Sequence, residues 1–209
     1  MNTITLQGEK ITPSKLVCIG RNYVDHIKEL NNEIPSEPVI FLKPNSALST
    51  NLYCHSFDEI HYEAEISFLI EHQQIKAVGF GLDLTKRKIQ TRLKEKGLPW
   101  ERAKAFNHSA VFSDFVLFSG ELNELTLTLT INGQLKQQGG VDLMINKPLA
   151  IIDEVMNFMA LSDGDILMTG TPKGVGALKE GDHFVGEIAY KDQIIISKEW
   201  IVQLTLKRK

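Results

Sequence analysis

The segment Ile60-His61-Tyr62-Glu63-Ala64-Glu65-Ile66-Ser67-Phe68-Leu69-Ile70 alternates with the period of a β-strand. That period puts Tyr62, Ala64, Ile66 and Phe68 on one face and His61, Glu63, Glu65 and Ser67 on the other. Two carboxylates then point the same way from α-carbons ~7 Å apart. At a carboxylate separation of ~5 Å near a protein surface they repel by about 3 kcal/mol. On a solvated face, water neutralises such a pair. In a site, a hard divalent cation does so, because Mg²⁺ and Mn²⁺ take carboxylate oxygens and keep positions open for water or substrate. Taken alone, the Glu-x-Glu pattern fits the solvated face better. Asp83 moves the balance toward a cation, since it ends the apolar run Val78-Gly79-Phe80-Gly81-Leu82, and a strand end is a common place for a ligand. Helix-start chemistry beside Thr85 is its competing role, and spacing alone leaves the two level.

A second cluster lies in Gly20-Arg21-Asn22-Tyr23-Val24-Asp25-His26-Ile27-Lys28-Glu29. Residues three apart are neighbours on a helix, so Glu29 can accept from the His26 imidazole, orient it and raise its basicity, as a general base requires. An exposed ion pair worth a few tenths of a kcal/mol has the same spacing, and the pattern by itself favours that simpler role. The stretch from Lys86 to Lys96 holds six basic residues against one acid. A solvated basic face, with Ile89 and Leu93 turned to the core, explains it more simply than nucleic-acid binding. Gly170-Thr171-Pro172-Lys173-Gly174-Val175-Gly176 lacks both Gly-Lys-Ser/Thr and G-x-G-x-x-G. It reads as a tight turn whose amides and hydroxyls are able to hold a substrate carboxylate.

These residues need a frame, and strand signals dominate. Leu125-Thr126-Leu127-Thr128-Leu129-Thr130-Ile131 alternates strictly and runs into Asn132-Gly133, the strongest two-residue hairpin signal. Further strands are expected at 16–20, 39–43, 59–70, 78–82, 165–168, 183–189 and 194–206. One helix is expected over 22–30, where Tyr23, His26, Ile27 and Leu30 recur at helical spacing. A second runs from Thr85 as N-cap to about Lys96, with Gly97 closing it. A third starts from Asn146 as cap with Pro148 in its first turn, and buries Leu149, Ile152, Met156 and Met159. Many strands and few helices predict an α+β, mostly β chain. No repeat or long linker divides it, so a single domain over 1–209 is expected, with 31–38 its most mobile stretch.

A chain of 209 residues buries roughly 70–75% of the surface its unfolded form exposes and needs no disulfide framework. Cys18 and Cys54 lie in or beside apolar runs and read as two reduced core thiols. A composition 43% hydrophobic and 23% charged excludes disordered and collagen-like classes. With 23 Lys+Arg against 26 Asp+Glu and a formal charge of −3, a dominant basic surface for nucleic acid is not expected. No apolar stretch approaches the ~18 residues of a membrane helix, and the first residues carry no targeting pattern. A cytoplasmic protein acting on a small molecule, with neither membrane nor nucleic-acid partner, is the expectation.

The informative blocks are Gly20-Arg21-Asn22-Tyr23 with His26 and Glu29; Pro38-Val39-Ile40-Phe41-Leu42-Lys43-Pro44; His61-Tyr62-Glu63-Ala64-Glu65; and Asp83-Leu84-Thr85 with Arg87 and Gln90. Lys96-Gly97-Leu98-Pro99-Trp100, Ala103-Lys104-Ala105-Phe106 and the run from Gly164 to Gly176 follow in order. Together they resemble the fumarylacetoacetate hydrolase family, in particular its short single-domain branch of acylpyruvases and oxaloacetate-acting enzymes. The resemblance covers about residues 16 to 184, and such colinear agreement outweighs the simpler reading of each motif alone.

That resemblance implies a mixed β-sandwich roll, usually paired as a homodimer, in which Glu63, Glu65 and Asp83 hold Mg²⁺ or Mn²⁺. It makes His26 and Glu29 a water-activating dyad on a lid of about residues 22–38. Lys104 becomes a catalytic residue that stabilises developing negative charge, and Arg21, Gln90 and Thr171 become contacts for the oxygens of a 2-oxo acid. The reaction it implies is hydrolytic cleavage of a C–C bond in an acylpyruvate, giving pyruvate and a carboxylate. Decarboxylation or keto–enol tautomerisation of oxaloacetate, or isomerisation of a related 2-oxo diacid, passes through a similar enolate and is the alternative. A non-catalytic binding module is the remote one. In one departure, Lys86-Arg87-Lys88 stands where the family often has Ala-Arg-Asp, which takes an acid out of the helix start and bears on substrate charge preference.

Overall fold

Long-range pairing between apolar strands organises the computed structural model, which describes residues 1–205. Its principal elements begin with β1 (Lys15–Gly20), α1 (Val24–Glu29), β2 (Val39–Pro44), β3 (Leu48–Ser49), β4 (Ile60–Tyr62), β5 (Ala64–Glu71) and β6 (Gln74–Asp83). Then come β7 (Thr85–Lys86), α2 (Arg87–Glu95), α3 (Glu101–Lys104), β8 (Ala110–Phe112), β9 (Val116–Leu117), β10 (Leu125–Ile131) and β11 (Gln134–Gly140). The last are α4 (Pro148–Met156), β12 (Ile166–Met168), β13 (Gly176–Ala177), β14 (His183–Tyr190) and β15 (Gln193–Ile201).

The principal sheet has the order β2-β1-β12-β5-β6-β8-β3, with β9 also paired to β6. It is mixed: β1 and β12 run parallel, as do β8 and β3, while the other pairs are antiparallel. A four-stranded antiparallel sheet, β11-β10-β14-β15, faces it, and β7-β4-β13 form a smaller one. Between the two large sheets lie Ile66, Phe68 and Phe80 from one side and Leu127, Leu129, Phe184, Ile188 and Trp200 from the other. Gly186 permits this approach, since a β-carbon there would stand 2.4 Å from the Phe80 ring. The opposite face of the principal sheet buries Leu16, Cys18, Leu69, Ala77, Ile166 and Met168 beneath Ile4 and Leu6. The mostly β class and the mixed sandwich expected from sequence are what the chain adopts.

Local readings hold where one face of an element is wet. In β10 the Leu and Ile positions are buried while the Thr positions are half-exposed, and Asn132 (φ 52°) with Gly133 (φ 74°) makes the left-handed turn that this hairpin type demands. Gly97 closes α2 with φ 59°, and Cys18 and Cys54 are both free and buried. Among the described residues no helix is long and apolar enough to cross a membrane.

Four readings need correction. The expected strand over 59–70 is interrupted at Glu63, between β4 and β5. Thr85 does not cap α2, because it sits in β7 with its hydroxyl donating to the Asp83 carbonyl at 3.2 Å and accepting from Lys104 at 2.6 Å. The helix α4 starts from Lys147 and buries Pro148, Ile151, Ile152 and Val155, leaving Leu149 and Met156 exposed. Lys147, not Asn146, holds the N-cap place, with no side-chain cap bond; the Asn146 N–H donates to the Asn22 side chain at 2.7 Å, and its carbonyl accepts from that side chain at 2.9 Å. The strand expected over 194–206 is two, β15 and a short Gln203–Thr205, and Leu206 lies outside the described residues.

Candidate active site

Glu63 is the single residue between β4 and β5, and Asp83 ends β6, where its N–H donates to the Glu63 carbonyl at 2.8 Å. The β5–β6 register sets Glu65 opposite Gly81. Carboxylate oxygens of Glu63, Glu65 and Asp83 thereby come within 4.8 Å of one another. Their exposures are 6%, 1% and 1%, which rules out neutralisation by a solvated strand face.

Cations answer part of this charge. The Lys104 ammonium, at the end of α3, donates to Glu63 Oε2 at 2.8 Å, Asp83 Oδ2 at 2.5 Å and Thr85 Oγ1 at 2.6 Å. The wholly buried Lys43 Nζ lies 2.8 Å from Asp83 Oδ1 and donates to the carbonyls of Leu84, Lys104 and Ser109. Arg87 pairs with Glu63 Oε1. Glu65 accepts the Gly170 N–H at 2.9 Å, with Gly170 held at φ 94° where a β-carbon would strike Asn22 at 2.8 Å.

The three acids are therefore not equivalent. Burial pushes the Glu63 pKa up, but the Lys104 ammonium and the Arg87 guanidinium outweigh it and hold the carboxyl well below its ordinary range. For Glu65, burial and the like charges of Asp83 and Glu63 act together and raise the pKa well above the ordinary value. Burial works to discharge Lys104, yet Asp83 and Glu63 keep its pKa above that of a free lysine. Asp83 Oδ1 is buried in ion-pair contact with Lys43 but with no hydrogen bond among the described residues. Three hard oxygen donors, one of them forced toward its protonated form and another short of a donor, suit a hard divalent cation.

Beside the triad lies a small pocket of about 30 Å³, lined among others by Arg21, His26, Glu63, Gln90, Lys94 and Lys104 and walled by Phe41 and Trp100. At that volume it has room for no more than a water or two. His26 Nδ1 is 3.1 Å from Glu29 Oε2, and the Glu29 Oε1 accepts the Gly174 N–H at 2.9 Å. His26 is buried, 6% exposed, while its partner Glu29 reaches the surface, so the imidazole itself is not a solvated surface group. Lys173 and Asp25 pair at 2.9 Å across the same junction. The buried Asn22 side chain donates to the Thr169 carbonyl at 2.8 Å, fixing the start of α1 to the turn after β12. A larger cavity of about 720 Å³, between Phe118 and Leu149, holds none of the triad.

The site residues proposed from sequence lie in and around the pocket beside the triad. Gln90 lines the pocket and accepts from Arg87 at 2.7 Å. The Thr171 hydroxyl accepts from Gln137 Nε2 at 2.8 Å, and Gln137 Oε1 accepts the Ala64 N–H at 2.9 Å, which ties Thr171 to the Glu63–Glu65 backbone. Lys43 and Lys94 were missed. A lone Lys ending the apolar run Val39–Leu42 was the available signal for the first, while Lys94 was hidden within a helix read as a solvated basic face. Its ammonium donates to Asn32 Oδ1 at 2.7 Å, and burial, with Arg21 and Arg87 nearby, lowers its pKa. Lys86 pairs with Asp58 at 2.8 Å, and Lys88 lies 3.5 Å from Glu59. Part of the charge of this stretch is thus answered by carboxylates within the chain, at Lys86, Arg87 and Lys88.

The family model described as fumarylacetoacetate (FAA) hydrolase C-terminal matches residues 15–197. An oxaloacetate tautomerase of Escherichia coli (strain K12) is 41% identical over 187 residues, 81% of this chain and 85% of that protein. The mitochondrial oxaloacetate tautomerase of Homo sapiens is 38% identical over 185 residues, 80% of this chain and 83% of its own. The crystal structure of fumarylpyruvate hydrolase from Pseudomonas aeruginosa, in complex with Mn²⁺ and pyruvate, is similar with a TM-score of 0.87 and 28% identity, covering 99% of this chain and 96% of that one.

Proposed function

The chain belongs to the fumarylacetoacetate hydrolase C-terminal family, and from that premise we propose that it is a divalent-cation-dependent enzyme interconverting the keto and enol forms of a small 2-oxo acid, oxaloacetate first. The observation that carries this reading is the meeting, around one small pocket, of an imidazole backed by a carboxylate and an ammonium bound to two of three clustered acids.

Glu63, Glu65 and Asp83 would hold Mg²⁺ or Mn²⁺, which supplies Lewis-acid polarisation of the substrate's keto oxygen. The remaining work falls to side chains. With Nδ1–H donated to Glu29, His26 keeps Nε2 free to take the proton from the carbon beside the keto group and to deliver it to the oxygen. Lys104 faces the negative charge that develops on that oxygen. Arg21 and Arg87 each have a buried Nε with no hydrogen-bond partner among the described residues, and they bind carboxylate. Leaving α1 closed excludes water during the transfer.

Acylpyruvate hydrolysis, the reaction expected from sequence, is the second reading. It draws support from the same His26–Glu29 pair, which is equally suited to deprotonating water. A panel of oxaloacetate, acetylpyruvate and fumarylpyruvate, assayed with Mg²⁺ and with EDTA, separates the two: enol–keto conversion of oxaloacetate lost in EDTA supports the first, and cleavage of the acylpyruvates alone replaces it. The proposal extends to a reducing, cytoplasmic setting, in keeping with two free buried thiols. It also extends to a homodimer, for which the exposed Leu149 and Met156 of α4 offer an apolar face.

A pH dependence follows from Glu65. Its raised pKa stabilises the metal-free fold at low pH, and that contribution is lost as pH rises through the folded-state value. Added Mg²⁺ is therefore expected to raise Tm little in acid, where Glu65 keeps its proton, and increasingly toward neutral pH. Calorimetric scans with and without Mg²⁺ check this; a Tm shift that shrinks as pH rises contradicts it.

A further inference from the structure

Arg87, Gln90 and Lys94 recur at helical spacing along the pocket face of α2 and all line the pocket. The first two are engaged at the triad end, Arg87 with Glu63 and Gln90 with Arg87. Lys94 differs. It is half-buried beside two guanidinium groups, forms no ion pair with any carboxylate among the described residues, and donates instead to the neutral amide of Asn32. A carboxylate in that place would make a shorter, stronger charge-assisted bond than an amide.

Asn32 follows α1, so the Lys94–Asn32 bond also ties the covering segment to α2. The triad end of the pocket already offers a place for the 2-oxo acid head. Arg21, whose buried Nε has no partner among the described residues, adds a further free donor. From this placement the geometry points to Lys94 as the residue that selects substrates with a second carboxylate, exchanging Asn32 for that group when substrate enters. The inference rests on the 2-oxo acid reading above and narrows it to 2-oxo diacids.

The test compares oxaloacetate with 2-oxobutanoate, which has the same carbon count but a methyl in place of the distal carboxylate. With Mg²⁺ present, apparent Kd values come from ligand-induced thermal stabilisation for the wild type, Lys94→Gln, Lys94→Arg and Asn32→Ala. The wild type should prefer oxaloacetate. Lys94→Gln should weaken oxaloacetate about 10- to 100-fold, the loss expected for a hydrogen bond to a charged group, while leaving 2-oxobutanoate within about twofold. Lys94→Arg should restore part of the preference, and Asn32→Ala should keep it. A preference unchanged in Lys94→Gln, an equal loss for both ligands, or equal binding of both by the wild type overturns the inference alone. Binding of neither ligand by the wild type removes the 2-oxo acid reading and this inference with it.

Discussion

Glu65→Gln is expected to lower metal-dependent turnover of oxaloacetate by about a thousandfold or more, equivalent to about 4 kcal/mol of lost transition-state stabilisation, while leaving the metal-free protein at least as stable as the wild type. The two effects have one cause. Glu65 lies 1% exposed beside two other carboxylates, so without a cation its charged form is the costly one. A glutamine has the same shape, keeps an oxygen for the Gly170 N–H and carries no charge to desolvate. Its neutral amide oxygen is a much weaker ligand to a hard cation, whose affinity follows the charge count of its ligands. Denaturant unfolding in EDTA together with steady-state turnover in Mg²⁺ reads both quantities. A variant that is destabilised in EDTA yet fully active in Mg²⁺ would place Glu65 in a structural role.

Lys104→Met is expected to be damaging in the opposite sense. Its ammonium bridges Glu63 and Asp83 at 2.8 and 2.5 Å, and all three groups are buried. Removing the cation leaves Glu63 with Arg87 and Asp83 with Lys43 as their remaining partners, two buried anions each short of a cation, a loss of about 3 kcal/mol in the metal-free protein. Lys104 is also the group that holds the Glu63 pKa down. In the wild type, that depressed pKa contributes stability present above the ordinary carboxylate range and lost as pH falls through the folded value. The deficit of Lys104→Met should therefore be largest near neutral pH and shrink on acidification, as the stranded carboxylates take up protons. Saturating Mg²⁺ should recover part of it, while turnover stays about 100- to 1,000-fold down because the group facing the developing charge is gone. A stability deficit that is the same at every pH would show that Lys104 acts by packing alone.

Both predictions concern groups whose charge is decided by burial, and burial is where local reading of the chain reaches its limit. Leu125 to Ile131 is legible because its two faces meet different surroundings, core and water. The stretch from Ala64 to Ile70 is not, because it is buried on both faces of a central strand, so period 2 says which side chains share a face but nothing about what covers them. The neighbours of that strand, β6 and β12, include one drawn from a hundred residues away. In α4 too the buried face is set by what packs on it, Ile151, Ile152 and Val155 joining the core between the large sheets.

For the site, spacing alone left Asp83 between two roles and His26–Glu29 nearer to a surface pair. Their ordered recurrence with Lys104 and the Gly164–Gly176 run pointed to one site, and the folded chain brings them together. Lys43 stands in the colinear block Pro38–Pro44 as a lone Lys ending an apolar run, but nothing in that block names its partners. Its charge is tolerated because Asp83, three carbonyls and the Ser109 hydroxyl converge on it from residues 83 to 109. The Thr171 hydroxyl accepts from Gln137, a partner 34 residues away that its own neighbourhood does not announce.

Titration of the EDTA-treated chain with Mn²⁺, followed by the electron paramagnetic resonance of the free ion, asks whether Glu63, Glu65 and Asp83 hold a cation at all. The expected result is saturation at one Mn²⁺ per chain, competed by Mg²⁺ and lost in Glu65→Gln, whose fold is retained. Undiminished Mn²⁺ binding in Glu65→Gln, or no binding by a wild-type chain that still turns over oxaloacetate in EDTA, would contradict it.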